Sequence, residues 1–269
     1  MSDDAPRNKY GGTPAEVYDR LMVPRMFAPW AEIHLGLAGL RPGQRVLDVA
    51  CGTGVVARRA AELVGPTGKV VGLDLNPGML AVARANDPAG AVEWREGNAL
   101  ELPFADGSFD VVSCQHGIMF FPDRVRGLSE MRRALVPGGT VAVSTWGPLA
   151  ESTGFAALTA ALARHVSPEA GALTPFAVDR ADVLAGLLAE AGFGDVKVST
   201  RRITATFPSA EEFVGIIASG APAVLERLGG ITGATRRAVV DEVAAAVRPY
   251  QTADGVGMPL SGHVATGRA

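Results

Sequence analysis

The sequence predicts a doubly wound α/β fold with a mostly parallel sheet, and three observations carry this prediction. Short β-rich runs alternate with helical runs between residues 45 and 146. The spacing of these runs suits helical crossovers, which join parallel strands in a right-handed sense. A glycine-rich turn, Gly52-Thr53-Gly54, follows the first strand of the series. Sheets of this kind bind ligands outside the carboxyl ends of their strands.

The elements follow in order along the chain. Over residues 16–40, apolar residues recur at mostly helical spacing, and Pro24 and Pro29 interrupt them, which predicts two short helices. Helices are then predicted over Gly54–Val64, after the cap Asn76-Pro77 and after the cap Asp123. The five strands that they separate are Arg45–Ala50, Lys69–Asp74, Ala91–Glu96, Phe109–Gln115 and Gly139–Trp146.

The rhythm changes after residue 147, where helical segments become more frequent. Helices are predicted before Pro175, before Gly192 and before Pro249, with a further one opened by the capping-box residues Ser209 and Glu212. A sixth strand is predicted over Gly194–Phe207, and the tail Gly255–Thr266 predicts a last strand that we expect to be antiparallel.

Composition excludes several classes of protein. Of 269 residues, 48% are hydrophobic and 20% charged, as in globular proteins, and the net charge of −3 offers no basic surface for nucleic acid. No apolar run is long enough to span a bilayer, and residues 1–12 lack the apolar core of a signal peptide, so we expect a cytoplasmic protein. The two cysteines, Cys51 and Cys114, are too few for a disulfide framework or a zinc site, so we expect free thiols and no metal.

The turn after the first strand predicts a nucleotide-like cofactor. Gly52, Gly54 and Ala57 satisfy the loose pattern G-x-G-x-x-G/A, whose glycines let the backbone approach a ligand at a helix N-terminus. Asp74 lies 20 residues after Gly54 at the end of the second strand, where it can accept hydrogen bonds from both hydroxyls of a ribose.

Asp48 distinguishes between the possible cofactors. A dinucleotide brings a pyrophosphate to this turn, and a carboxylate four residues before Gly52 would repel it. S-adenosylmethionine brings an ammonium and a sulfonium, which a carboxylate attracts. Asp48 can also brace the loop by accepting backbone N–H groups.

Four segments in order carry a resemblance to a known family. They are Val46–Gly54, Gly72–Leu80, Gly97–Val112 and Leu135–Gly139. With these segments the chain resembles the class I S-adenosylmethionine-dependent methyltransferases, in the branch of the ubiquinone and menaquinone biosynthesis enzymes. The resemblance implies a Rossmann-like, seven-stranded sheet with its final strand antiparallel. It also implies S-adenosylmethionine as cofactor and S-adenosylhomocysteine as product.

The resemblance also implies roles for the cofactor-site residues. Gly52 and Gly54 would contact the methionine part with Asp48 near its ammonium, and Asp74 would hold the ribose. The remaining three residues would contact the adenine. Leu75 would pack against it, and Asn98 would bind it in place of the family's usual aspartate. Ala99 would bind it through its backbone N–H.

The acceptor is expected beside the end of the fourth strand. Gln115 lies at the carboxyl edge of the sheet and is expected to contact the cofactor, and His116 follows it. His116 is the candidate base for an acceptor that must lose a proton, or alternatively a residue that shapes the pocket. Tyr10 and Tyr18 are candidates for contacts with the acceptor, or are half-buried helix aromatics.

These expectations combine into one hypothesis with two alternatives. Residues 1–40 are expected to form an N-terminal helical lid, and residues 41–269 a methyltransferase domain with acceptor-pocket insertions at 147–175 and 209–249. We expect in-line methyl transfer to a small, apolar or aromatic acceptor, aided mainly by alignment of the reactants. The alternatives are an NAD(P)-dependent oxidoreductase, which Asp48 opposes, and a S-adenosylmethionine-binding protein that transfers no methyl group. The acceptor atom and the oligomeric state are not specified by the sequence.

Overall fold

The computed structural model describes residues 9–172, 174–220 and 233–269. Residues 1–8 of the expected lid, residue 173 and residues 221–232 of the second expected insertion lie outside the described residues. The described helices are α1 to α9, with bounds Pro14–Val17, Ala28–Ala38, Val55–Val64, Pro77–Ala85, Arg124–Ala134, Thr153–His165, Ala181–Glu190, Ala210–Gly220 and Gly233–Val247. The described strands are β1 to β8, with bounds Arg45–Val49, Lys69–Asp74, Glu93–Glu96, Phe109–Gln115, Leu135–Trp146, Gly194–Phe207, Gln251–Thr252 and Gly255–Arg268.

The strands form one mixed sheet in the order β3-β2-β1-β4-β5-β8-β6. The pairs among β1 to β5 are parallel, and β8 is antiparallel to β5, with Ser144 opposite Val264. The predicted doubly wound fold is confirmed. Among the described residues the sheet has one strand more than the seven expected, because the two-residue strand β7 pairs with the start of β8.

Local chemistry explains where the elements begin. Asn76 caps α4 by accepting from the N–H of Gly78, and Asp123 caps α5 by accepting from the N–H of Arg126, as their positions predict. Strand β3 starts two residues later than predicted, because Asp87 accepts the N–H groups of residues 91 and 92.

The prediction that the prolines divide the first helical stretch into two helices is wrong. Between α1 and α2 the chain forms a π-helical segment, Tyr18–Phe27, which contains Pro24. Because proline has no backbone N–H, the segment lacks one helical hydrogen bond at this residue. Pro29 stands at the second residue of α2, where a helix tolerates proline.

The described residues group into two compact units. The first contains residues 9–27, 150–172, 204–220 and 233–259, and the second contains residues 28–149, 174–203 and 260–269. In the first unit, Phe213 of α8 packs edge-on against Phe155 and Phe207, with ring centroids 5.3 and 5.0 Å apart. In the second unit, α2 and α3 cover apolar side chains of the sheet, among them Val46 and Val111. Of the helices that are described, none is long and apolar enough to cross a membrane.

Candidate functional site

In the second unit, the carboxyl ends of β1, β2 and β4 lie side by side at one edge of the sheet. Asp48 of β1 pairs in register with Gly72 of β2 on one side and with Ser113 of β4 on the other. The register therefore brings Asp48, the end of β2 at Asp74 and the end of β4 at Gln115 to the same edge. These residues were predicted as cofactor-site residues from three separate segments of the sequence.

The glycine turn after β1 is shaped by left-handed backbone and by close packing. Gly52 and Gly54 have φ angles of 55° and 84°, and Ala50 has a φ of 56°. Gly54 precedes the first residue of α3, and no side chain caps this end of the helix. A Cβ on Gly54 would also collide with the Trp94 ring. The turn is thus closely packed on one side and presents the first N–H groups of α3.

Asp74 joins this turn to the end of β2. Its carboxylate accepts hydrogen bonds from the backbone N–H groups of Gly52 and Asn76, both at 2.8 Å. Burial raises the pKa of Asp74, and hydrogen bonds from backbone N–H groups partly offset this. Next to it, the side chain of Leu75 is 68% exposed.

Asp48 is buried, with 1% of its surface exposed. Among the described residues, neither of its carboxylate oxygens has a hydrogen-bond partner. Burial raises the pKa of Asp48 to about 7, and the nearby charge of Asp74 acts in the same direction. The Ser113 hydroxyl and the Ala57 N–H of α3 face the carboxylate and lower its pKa, but by less. A cation at this place would stabilise the ionised form.

Asn98 and Ala99 lie in the loop after β3. The side-chain oxygen of Asn98 accepts from the N–H of Leu100 at 2.9 Å, which leaves its NH₂ group as the donor to a ligand. This bond uses one lone pair of the Asn98 oxygen, and a carbonyl oxygen has a second that can accept from a ligand. Ala99 is buried at 8% exposure.

Two residues of α5 hold this loop in place through hydrogen bonds to its backbone. Arg133 donates to the carbonyl oxygens of Leu102 and Phe104 at 3.0 and 2.7 Å. Its partner Glu130 accepts from Arg133 at 2.7 Å and from the N–H of Leu102 at 2.9 Å. The loop that carries Asn98 is thus held by charge-assisted hydrogen bonds.

His116 is buried in an aromatic cluster at the end of β4. Its ring stacks on Trp146, with centroids 3.6 Å apart and planes inclined by 11°, and Trp30 approaches it edge-on at 5.5 Å. Burial lowers the pKa of His116 well below its usual value, and the neighbouring His34 acts in the same direction. At neutral pH the imidazole is therefore uncharged. Its neighbour Gln115 is also buried.

The two tyrosines predicted as acceptor contacts belong to the first unit. The Tyr10 hydroxyl donates to the carbonyl oxygen of Glu212 at 3.5 Å, and Lys9 lies over the Tyr10 ring. The Tyr18 ring packs against Phe27 with centroids 4.8 Å apart. Both therefore have contacts within their own unit.

His34 and Ser113 form a buried polar pair that the sequence did not reveal as part of the site. Nε2 of His34 in α2 is hydrogen-bonded to Oγ of Ser113 at 2.9 Å, and both residues are fully buried. The one available signal is Ser113 itself, a polar residue inside an apolar strand.

The other two histidines, His165 and His263, form hydrogen bonds with residues outside the candidate site. His165 is hydrogen-bonded to Glu242 at 3.0 Å. In the second unit His263 is hydrogen-bonded both to Thr200 and to the carbonyl oxygen of Asp179, each at 2.9 Å.

Comparison with known families decides the relationship. The model of the ubiE/COQ5 methyltransferase family matches residues 16–206 of this chain. The chain belongs to the ubiE/COQ5 methyltransferase family. The resemblance seen in the four sequence segments is thereby confirmed.

Individual relatives of this ubiE/COQ5 family member agree with the assignment. The chain is 36% identical over 201 residues to demethylmenaquinone methyltransferase of Geobacillus kaustophilus, covering 67% of this chain and 85% of the relative. It is 40% identical over 120 residues to the chloroplastic 2-phytyl-1,4-beta-naphthoquinone methyltransferase of Arabidopsis thaliana, covering 42% of this chain and 46% of the relative. With such relatives the matched part spans about half of their length.

A solved structure supports the fold. Phosphoethanolamine N-methyltransferase 2 of Haemonchus contortus in complex with S-adenosyl-L-methionine superposes with a TM-score of 0.54. The two sequences are 21% identical, and the match covers 95% of this chain and 60% of the other. At this identity the likeness shows a shared fold and nothing more.

Proposed function

We propose that this ubiE/COQ5 family member transfers a methyl group from S-adenosylmethionine to a small, apolar or aromatic acceptor. The observation that carries the proposal is the buried carboxylate of Asp48 beside the glycine turn. Its oxygens are without hydrogen-bond partners among the described residues, and burial makes its negative charge costly. A bound cation offsets this cost, whereas the pyrophosphate of a dinucleotide would add to it.

The residues at the sheet edge suit the parts of this cofactor. Asp48 would bind the methionine ammonium, and Gly52 and Gly54 would let the backbone approach the methionine part. Asp74 would accept from the ribose hydroxyls. S-adenosylmethionine supplies a methyl group activated by a positively charged sulfur.

The adenine end and the acceptor side complete the proposed site. The exposed Leu75 would pack on the adenine, while Asn98 and the Ala99 N–H would bind its edge. Gln115 would contact the cofactor from the end of β4, and His116 follows it next to the acceptor.

The chain's own contribution to the reaction is mostly alignment. Holding two reactants in line is worth on the order of 7 to 11 kcal/mol, and methyl displacement needs little further help. Where the acceptor is an acidic phenol or carbon, the neutral His116 would take its proton at a ring nitrogen. We further infer that residues 1–40 act as a lid, in which Tyr10 and Tyr18 contact the acceptor. Residues 147–175 and 209–249 are inferred to line the acceptor pocket.

The family relatives suggest the class of acceptor. One relative is named as a methyltransferase of 2-phytyl-1,4-beta-naphthoquinone and another as a methyltransferase of demethylmenaquinone. We infer a lipophilic aromatic acceptor of this kind for the present chain, and a cytoplasmic setting, in which the free thiols of Cys51 and Cys114 stay reduced.

Calorimetric titration with S-adenosylmethionine, S-adenosylhomocysteine and NADH tests the cofactor. We expect the two sulfur compounds to bind and NADH not to bind, and the reverse order would favour an oxidoreductase. Incubation with methyl-labelled S-adenosylmethionine and reduced 1,4-naphthoquinone then tests the transfer. Tight binding with no labelled product from this or a wider set of acceptors would favour a cofactor-binding protein of another function.

A further inference from the structure

We propose that Ser113 and His34 form a buried hydrogen-bond chain that positions the Asp48 carboxylate for the ammonium group of the cofactor. This inference rests on the proposed function and adds two positioning residues to its site. The chain runs from α2 through β4 to β1, and all three residues lie in the second unit.

The geometry places Ser113 between the other two side chains. Ser113 is the register partner of Asp48 across the parallel pair β1 and β4, so both side chains project from the same face of the sheet. Helix α2 covers this face, and there Nε2 of His34 lies 2.9 Å from the Ser113 oxygen. Asp48, Ser113 and His34 are 1%, 0% and 0% exposed, so water does not compete for the hydrogen bond between His34 and Ser113.

The direction of the hydrogen bonds follows from what surrounds His34. Its Nδ1 atom has no partner among the described residues, and a buried N–H without an acceptor is costly. The proton of the neutral ring therefore belongs on Nε2, which donates to the oxygen of Ser113. The Ser113 hydroxyl is then free to donate in turn to the ionised Asp48.

Burial keeps the imidazole of His34 uncharged. It lowers the pKa of His34 to about 4, so the ring serves as a neutral donor at physiological pH. Other ionisable groups also lie near Asp48 and His34. Near Asp48 they are the carboxylate of Asp74 and the thiols of Cys51 and Cys114. Arg58 acts on Cys51, and His116 lies near His34. The carboxylate oxygens of Asp48 have no hydrogen-bond partner among the described residues, and the Ser113 hydroxyl is the side-chain donor that faces them.

Titration of the apo protein tests the chain without any cofactor. Carbon-13 resonances of aspartate carboxyls report the protonation of Asp48, and Asp48→Asn assigns the signal. We expect Ser113→Ala and His34→Leu to raise the midpoint by about one pH unit, because the first removes the donor to the ionised form and the second removes the donor that orients the Ser113 hydroxyl toward it. His34→Gln can still donate to Ser113, so its midpoint should equal that of the wild type.

Ser144→Ala is the matched control, because it removes a buried hydroxyl on the neighbouring strand β5. It should leave the midpoint unchanged. Unchanged midpoints in both Ser113→Ala and His34→Leu would overturn the proposed chain. His34→Leu and His34→Gln change a residue of α2 and leave the strands unaltered. Comparison of these two variants therefore still tests the chain if Ser113→Ala, in strand β4, fails to fold.

Calorimetry with S-adenosylhomocysteine then tests the link to the cofactor. The two disrupting variants should bind about fivefold more weakly at pH near 7, because a rise of one unit in the pKa of Asp48 lowers its ionised fraction there by about that factor, and His34→Gln should bind as the wild type does. Equal affinities despite shifted midpoints would overturn the positioning role. Absence of binding by the wild type would instead refute the proposed function, while the titration would still report on the hydrogen-bond chain.

Discussion

The carboxylate of Asp74 and the backbone N–H of Gly52 are joined by a hydrogen bond of 2.8 Å. This bond ties the glycine turn after β1 to the end of β2, so a residue expected to bind the ribose also fixes the turn expected to bind the methionine part. Because the second carboxylate oxygen accepts from Asn76, the same side chain also orients the start of α4. One carboxylate thus has two structural roles in addition to its proposed ligand contact.

Asp74→Asn should therefore weaken S-adenosylhomocysteine binding by about 10- to 100-fold. Hydrogen bonds to a charged acceptor contribute about 1.5 to 3 kcal/mol each, and the amide offers a weaker acceptor to Gly52 and to the ribose. Calorimetry measures the change. Glu96→Gln is the control, since Glu96 is the exposed register partner of Asp74 on β3. Similar losses in both variants would indicate a general charge effect.

Asp48 should make the apo protein less stable as the pH rises. Its folded pKa of about 7 lies above the ordinary value of 3.8, so between these values the folded state holds a proton that the unfolded state has released. The free energy of unfolding then falls across this window, by about 1.4 kcal/mol per pH unit from this group, and its contribution is constant above it.

Asp48→Asn removes that slope. Urea unfolding at about pH 5 and about pH 8 should show a variant that is more stable than the wild type at the higher pH, by about 4 kcal/mol at most. The gain should shrink at the lower pH, where Asp48 is protonated. A variant that is equally destabilised at both pH values would contradict the raised pKa.

The parts of the site that were predictable from sequence are those encoded by neighbouring residues. The turn from Gly52 to Gly54, the cap at Asn76 and the carboxylate at the end of β2 follow from local motifs and strand ends. The pair of His34 and Ser113 is separated by 79 residues, and only the packing of α2 on the sheet brings it together. No local pattern encodes that contact.

The same limit applies to His116 and Asn98. A sequence places His116 after a strand, but its stacking on Trp146 depends on the parallel pairing of β4 with β5. Asn98 was expected to bind the adenine, and its side-chain oxygen accepts a hydrogen bond from the N–H of Leu100. Such short-range competition by side-chain amides is common in loops.

Leu75→Ser should reduce cofactor affinity without reducing stability. The side chain is 68% exposed, so its removal costs the apo protein little, but the loss of an apolar contact with adenine should weaken S-adenosylhomocysteine binding about five- to tenfold. Val183→Ser, at a residue of α7 that is 42% exposed, is the control and should change neither property. A large drop in the melting temperature of the Leu75 variant would show a packing role instead.

Arg133→Met should destabilise the fold by about 2 to 3 kcal/mol. The substitution removes the donors to Leu102 and Phe104 and leaves Glu130, whose side chain is only 6% exposed, without its main partner. Thermal unfolding measures the loss. Arg132→Met changes an exposed arginine on the same helix and should have a much smaller effect. Equal effects would mean that the loop does not depend on Arg133.

His116→Asn tests whether the imidazole accepts a proton from the acceptor. Asparagine tolerates the left-handed backbone at this position, where φ is 51°, so the variant should fold. Because burial lowers the pKa of His116 well below its usual value, the ring is a weak base, and its removal should lower kcat by about 100-fold, at the low end for general bases. For the same reason the wild-type kcat should stay flat down to about pH 6, without the acidic limb of an ordinary histidine. Rates of methyl transfer to reduced 1,4-naphthoquinone across this pH range give both quantities. An unchanged kcat with a raised KM would assign His116 to the wall of the acceptor pocket, because loss of uniform binding affects KM alone.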